Sequence, residues 1–145
     1  MLTTSGTIPE LADQLRFSIT RTARRLRQQG DPALSPTLAA ALSTIERAGP
    51  LGPSELARLE RVQRPTATRV VTRLCDAGLV TRLPDEHDRR AALLEVTPAG
   101  RQALKDLRRQ KAAYLAERLA GLDPEERELL ARASVLLERM LEEGE

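Results

Sequence analysis

The clearest chemistry in this 145-residue chain comes from arginines and threonines spaced along one stretch, residues 64–76. Folded as a helix, this stretch places its apolar residues on one face and its threonines and arginines on the other. The outward face has no Leu, Ile or Phe, so it is not a second core face. Arg69 and Arg73 lie one turn apart and can reach guanine edges or adjacent phosphates, which predicts contact with nucleic acid. A solvated face, with Arg73 paired to Asp76, is the alternative.

A second basic feature follows this helix directly. Residues 80–83 and 92–96 are short runs that favour β-strands, and the polar link between them predicts a hairpin with an exposed tip. Arg89 and Arg90 at the tip can enter a minor groove, where a narrow width concentrates negative potential. Asp88 has the wrong sign for DNA, so we expect it to orient a neighbouring arginine.

Catalytic chemistry finds little support in the sequence. One His and one Cys exclude a disulfide within the chain and a multi-cysteine zinc site, and leave no nucleophile–base pair. His87 lies in the charged link and is interpreted as an exposed loop residue. Cys75 falls on the inward face of the helix, which favours packing over redox sensing. We therefore expect no enzyme activity, no cofactor and no metal.

Charge is distributed unevenly, although the formal net charge is only +2. Residues 58–90 contain eight basic and five acidic residues, whereas residues 123–145 contain three basic and eight acidic ones. The middle of the chain is therefore suited to an anionic partner and the C-terminal stretch is not. Aromatic residues make up 1% of the chain, which argues against an aromatic stacking platform for single-stranded nucleic acid or RNA.

Composition also bears on where the protein works. Hydrophobic residues make up 41% of the chain, which is enough for a folded core. No segment approaches the ~20 apolar residues of a membrane span. Residues 1–10 have neither the basic start nor the apolar run of a signal peptide. We expect a cytoplasmic protein with no membrane partner.

A short helix precedes the helix that contains the arginines and threonines. It begins at Pro53, and Leu56, Ala57 and Leu59 are expected to face inward. Only residues 60–64 separate the two helices. Two helices joined by so tight a link are the signature of a helix-turn-helix, whose second helix reads DNA.

The first and last helices are long and strongly amphipathic. The first is predicted from about residue 8 to about residue 29, and the last begins after the cap formed by Asp123 and Pro124. A compact middle leaves too little core to cover both apolar stripes, so they predict a helical dimer interface. A monomeric bundle is the alternative. The residues expected in the interface are Ile8, Leu11, Leu15, Leu129, Leu130, Leu136, Leu137, Met140 and Leu141.

Together these elements predict a mainly α fold with a small β-hairpin wing. Residues 35–97 form a winged helix-turn-helix DNA-binding lobe, with recognition helix 64–77 and wing 80–96. Residues 1–34 and 98–145 form a helical dimerisation region.

The motifs of this chain resemble those of the multiple-antibiotic-resistance regulator (MarR) family. The most specific matches are Gly78-Leu-Val-Thr-Arg82, Asp85-Glu-His-Asp-Arg-Arg90 and Val96-Thr-Pro-Ala-Gly100. Ser54-Glu-Leu-Ala57 and Arg64-Pro-Thr66 are similar to the two helix-turn-helix helices of the family. The resemblance extends over the whole chain.

The resemblance implies a homodimeric transcription factor, usually a repressor, that binds a pseudo-palindromic operator. Recognition helices would enter successive major grooves, and wing arginines would touch minor grooves. Many members bind a small, often anionic or phenolic, effector between the dimer region and the DNA-binding lobe, which weakens DNA binding. A winged-helix module that binds protein, or a regulator without a ligand, is the alternative function.

Carried onto this chain, the resemblance implies specific DNA contacts. Arg90 would be the wing-tip arginine, braced by Asp88. Gln63 stands where a capping serine is common, so the recognition helix has a weaker start. Thr66 and Thr68 at that start can also hydrogen-bond phosphate beside free backbone N–H groups. The recognition-helix contacts would be Arg64, Thr66, Thr68, Arg69, Thr72 and Arg73.

Overall fold

The structure, a computed structural model, describes residues 6–88 and 92–144. Within these ranges the chain forms helices and one antiparallel hairpin, which confirms the predicted mainly α fold with a β wing. The elements in chain order are α1 (Ile8–Arg27), α2 (Pro36–Ala48), α3 (Pro53–Glu60), α4 (Arg64–Asp76), β1 (Val80–Pro84), β2 (Ala92–Val96), α5 (Pro98–Ala120) and α6 (Pro124–Glu142). None of the helices in the described part of the chain combines the length and apolarity needed to cross a membrane.

The core lies where α2, α3, α4 and the hairpin meet. The largest fully buried side chains come from each of these elements: Leu42 and Ile45 from α2, Leu56 from α3, Leu74 from α4 and Leu94 from β2. Burying one such side chain contributes roughly 1.5–3 kcal/mol. The shared core fixes the position of α4 relative to the hairpin.

The turn between α3 and α4 is built on a left-handed residue. Arg61 has φ 54°, and its N–H donates to the Arg58 carbonyl at 3.2 Å. The N–H of Val62 donates to the Ala57 carbonyl at 3.0 Å. This pair of bonds closes the end of α3 and reverses the chain within a few residues.

The end of α4 uses the same geometry with a glycine. Gly78 has φ 73°, its N–H donates to the Cys75 carbonyl at 2.9 Å, and the N–H of Leu79 donates to the Leu74 carbonyl at 2.9 Å. Gly78 therefore ends α4. A side chain at Gly78 would meet open space, so backbone conformation alone requires glycine there.

One expectation for α3 was wrong. Leu59, predicted to face inward, is 38% exposed. The buried side of α3 contains Leu56 and Ala57, with Glu60 partly buried beside them. Residue 59 points away from that buried face, because consecutive residues are about 100° apart around the helix axis.

The hairpin is tied to the core along its length. Val80 pairs with Val96 and Arg82 with Leu94 in antiparallel register. Leu51 adds a third line of pairing, because its N–H donates to the Leu94 carbonyl at 3.2 Å and its carbonyl accepts the Leu94 N–H at 2.8 Å. The base of the wing is therefore rigidly placed.

The run from Val96 to Gly100 connects the wing to the end of α4. The Thr97 N–H donates to the Leu79 carbonyl at 3.0 Å, and its hydroxyl donates to the Gly78 carbonyl at 2.6 Å. The Gly100 N–H in turn donates to the Thr97 hydroxyl at 3.0 Å, which caps α5. A Cβ on Gly100 would stand 2.2 Å from the Leu79 carbonyl oxygen, so this close approach requires glycine.

By contact density the chain divides into Met1–Lys111 and Ala112–Glu145. α5 passes from one unit to the next, and its buried Leu104 and Leu107 belong to the first. The predicted functional boundaries at residues 34 and 98 stay a prediction. Neither α1 nor α6 contains a buried residue.

Candidate nucleic-acid interface

The inward face of α4 anchors the candidate interface. Ala67, Val71 and Leu74 are buried, and the partly buried Val70 and Cys75 pack against the same core. The cysteine thus lies where its position in the helix predicted. With one face held, the opposite face is presented to solvent in a fixed orientation.

The outward face of α4 contains the predicted DNA-contacting side chains. Within residues 6–88 and 92–144, neither Arg69 nor Arg73 forms an ion pair or a side-chain hydrogen bond. The Arg73–Asp76 pair considered as an alternative is therefore not formed. Thr66 is half-buried, and the exposed members of the predicted set are Arg64, Thr68, Arg69, Thr72 and Arg73.

Two threonines on this face bond to their own helix. The Thr68 hydroxyl donates to the Arg64 carbonyl at 3.0 Å, and the Thr72 hydroxyl donates to the Thr68 carbonyl at 2.9 Å. Each hydroxyl has a single proton, which is used in these bonds. A phosphate oxygen needs a donor, so the predicted phosphate contact of Thr68 requires this bond to break.

A groove of about 670 Å³ follows the outward face of α4. The start of α2 forms its other side, through Ser35 and Thr37. Ser35 also caps α2, because its hydroxyl accepts the Leu38 N–H at 3.4 Å. Thr37 was missed because its place in the groove depends on the packing of α2 against α4. The α4 side of the groove is lined by Thr66, Thr68, Arg69, Val70, Thr72 and Arg73.

The start of α4 is weakly capped, as the sequence predicted. Gln63 occupies the cap position and makes no side-chain capping hydrogen bond. Its carbonyl accepts the N–H groups of Thr66 and Ala67 at 3.0 and 3.1 Å. The exposed Arg64 in the first turn adds positive charge to a helix end that already favours anions.

The arginine on the preceding helix behaves differently. Two nitrogens of Arg58 contact the Glu55 carboxylate, at 2.6 and 3.1 Å. This hydrogen bond lowers the pKa of Glu55 and raises the pKa of Arg58 from their ordinary values. Arg58 is therefore engaged by a neighbour, unlike the arginines of α4.

The tip of the wing is described only in part. The His87 N–H donates to the Asp85 carboxylate at 2.9 Å, and both His87 and Asp88 are exposed. Arg89 and Arg90 lie outside the described residues, so their predicted contact with the minor groove stays a prediction. The same holds for the predicted role of Asp88 in orienting Arg90.

The predicted interface residues of the terminal helices lie at the surface of the single chain. Leu15 and Leu137 are partly exposed. The more exposed ones are Ile8, Leu11, Leu129, Leu130, Leu136, Met140 and Leu141. Among the described residues, no group of three or more His, Cys, Asp or Glu is placed to hold a metal ion.

Comparison with known proteins identifies this arrangement. The MarR family model matches residues 34–92, the stretch from just before α2 to the wing. An uncharacterised HTH-type transcriptional regulator from Mycobacterium bovis is 37% identical over 135 residues, covering 92% of this chain and 94% of that protein.

Solved structures agree with that match. A Pseudomonas aeruginosa protein assigned as a transcriptional regulator is 32% identical, has a TM-score of 0.80, and is matched over 94% of this chain and 98% of that one. Wild-type MarR from E. coli in its apo form is 25% identical, with a TM-score of 0.69 and coverage of 94% and 99%. The chain described here therefore belongs to the MarR family and is a helix-turn-helix transcriptional regulator.

Proposed function

We propose that this regulator acts as a homodimer that binds a pseudo-palindromic operator in double-stranded DNA and represses transcription from it. The observation that carries the proposal is the outward face of α4, where Arg69 and Arg73 have no partner within the described residues. Arginines held ready on an anchored helix suit bidentate contacts to guanine and phosphate.

In this proposal the lobe of residues 35–97 makes all the DNA contacts. α4 enters the major groove, with Arg64 and Thr66 at its leading end. Arg89 and Arg90 are proposed to contact the neighbouring minor groove, with Asp88 bracing Arg90. A repressor needs only to occupy the promoter, which is why we propose repression.

The second chain is proposed to cover the apolar faces of α1 and α6. Contiguous exposed apolar surface on a protein is typical of an interaction site, and neither helix has a buried residue to account for its stripe. Residues 1–34 and 98–145 would then hold two α4 helices about 34–36 Å apart, one helical turn of DNA.

We further propose that a small organic anion releases the DNA. A cavity of about 270 Å³ lies between the end of α1, α2 and α5, which limits the effector to a compact molecule. Arg27 and Lys111 contribute positive charge to its lining, whereas Arg108 is paired with Glu46 at 2.8 Å. Leu104 and Leu107 contribute apolar surface. Single-ring carboxylates should dissociate the protein–DNA complex. The Lys111→Gln variant should require a several-fold higher carboxylate concentration for the same dissociation. If the variant left the DNA at the same carboxylate concentration as the wild type, the effector would bind elsewhere.

The DNA contacts are tested by anisotropy with a duplex selected from a random pool. Arg73→Ala should cost roughly 1–3 kcal/mol, about 5- to 150-fold in Kd, and should relax selection at particular bases. Arg90→Ala should weaken binding to all duplexes about equally. Wild-type affinity should fall steeply with salt, since bound arginines release counterions.

The matched control is Arg132→Ala on α6. This arginine pairs with Glu128 at 3.3 Å in an acidic part of the chain, so its removal should leave DNA affinity unchanged. If the Arg73 and Arg132 variants lost DNA affinity equally, the overall charge of the protein would determine binding and the outward face of α4 would not. Affinity that is constant between low and high salt would contradict DNA binding through these arginines.

A further inference from the structure

We infer that Thr68 and Thr72 present their methyl groups to DNA, so that α4 selects thymine methyls beside the positions contacted by Arg69 and Arg73. This inference rests on the DNA-binding role proposed above for α4. It concerns which chemical group of each threonine meets the bases.

The hydroxyl protons of both threonines are already used. Thr68 donates to the Arg64 carbonyl at 3.0 Å and Thr72 donates to the Thr68 carbonyl at 2.9 Å. What each side chain can still offer is a methyl group and an oxygen that only accepts. Guanine N7 and O6, thymine O4 and phosphate oxygens are themselves acceptors, so none of them can bond to that oxygen.

The surroundings of these threonines favour an apolar contact. Both line the groove along α4 together with Val70 and Leu38. Leu38 belongs to the hydrophobic core, and Val70 packs against that core. The groove therefore has an apolar floor. Threonine methyls turned toward the groove would extend this apolar surface. Thymine is the base that presents a methyl group in the major groove.

The spacing places these methyls beside the arginines. Thr68 and Thr72 form one row of residues four apart, and Arg69 and Arg73 form a second row one position further along the chain. Each row spans about 6 Å of helix axis, close to two base-pair steps of about 3.4 Å. The half-site should therefore contain thymines within a step or two of the bases contacted by the arginines.

The test uses deoxyuridine, which differs from thymidine only by the missing methyl. In the selected duplex, each thymine of a half-site is replaced in turn and the Kd of the full-length protein is measured. We expect a loss of about threefold to tenfold at one or two positions, the size expected for one buried methyl. Thymines outside the α4 footprint serve as controls.

Matched variants identify the threonine involved. Thr72→Val keeps a methyl and removes the hydroxyl, so it should retain both affinity and sensitivity to deoxyuridine. Thr72→Ser keeps the hydroxyl and removes the methyl, so it should bind more weakly and lose that sensitivity. The same pair is made at Thr68, and thermal unfolding of each variant confirms that it is folded.

Two results would overturn the inference. Insensitivity to deoxyuridine, with weak binding by the valine variants, would show that the hydroxyl oxygen accepts from an adenine or cytosine amino group. If deoxyuridine still weakened the binding of both serine variants, the thymine contact would belong to another side chain. Failure of the underlying proposal is distinguishable, because Arg73→Ala would then also bind with wild-type affinity.

Discussion

The DNA-binding lobe and the terminal helices differ in which side chains they leave without a partner. In the lobe, apolar residues from α2, α3, α4 and β2 meet in one core, and Leu42, Leu74 and Leu94 are fully buried. In α6, an equally apolar stripe stays at the surface, with Leu129 51% exposed and Met140 61% exposed. The lobe completes its core from its own chain, whereas α6 does not.

The charged residues distinguish α4 from α6. On α6 acidic residues outnumber arginines, and Arg132 contacts Glu128 at 3.3 Å. On α4, Arg73 forms no ion pair with any described residue. The outward face of α4 therefore presents positive charge, and α6 presents apolar surface. This difference supports the proposal of two partners, a polyanion for the lobe and an apolar surface for the terminal helices.

The largest effect is expected where the apolar stripe is interrupted. Met140→Glu should raise the dimer dissociation constant by roughly a hundredfold or more, because an unpaired carboxylate buried in an interface costs several kcal/mol. Met140 is 61% exposed in the single chain, so the substitution should leave the fold of the monomer unchanged. Sedimentation velocity at several concentrations measures the shift from dimer to monomer.

Val135→Glu is the matched control for this experiment. Val135 is also 61% exposed and lies on the same helix, about 140° around it from Met140. The control should remain dimeric at concentrations where Met140→Glu is monomeric. Equal sedimentation of both variants, or a monomeric wild-type chain, would remove the reason for treating this stripe as the interface.

Much of the fold was predictable because its signals are local. Proline at the first turn marks the start of α3, Asp123 caps α6, and Gly78 ends α4, and each of these depends on residues close in sequence. The inward face of α4 was equally predictable, since helical periodicity alone places Ala67 and Val71 together.

The features that escaped prediction depend on contacts between distant residues or on an unusual backbone. Arg61 adopts a left-handed conformation that residues other than glycine rarely adopt. Because the position is not a glycine, the sequence contains no signal for this conformation in the turn between α3 and α4. Thr37 joins the groove only because α2 packs beside α4. The bonds that occupy the Thr68 and Thr72 hydroxyls depend on rotamers, which residue types alone do not specify.

A smaller effect is expected from Gly100→Ala, and it tests the other half of the comparison. The added Cβ would stand 2.2 Å from the Leu79 carbonyl oxygen and 2.7 Å from Val96 Cγ1. A backbone oxygen cannot move aside without disturbing the bonds of Thr97 to the same turn. Overpacking of this kind costs about 1–3 kcal/mol of unfolding free energy, measured by urea denaturation.

The dependence on protein concentration decides what this result means. Because the lobe completes its core within one chain, the loss caused by Gly100→Ala should be equal at low and high concentration, whereas Met140→Glu should act through dissociation. Gly121→Ala is the control, since a Cβ there would lie 3.5 Å from its nearest neighbour, an ordinary contact. If the loss from Gly100→Ala disappeared at high concentration, the lobe would depend on the second chain for its stability. The contrast between a self-contained lobe and partner-dependent terminal helices would then fail.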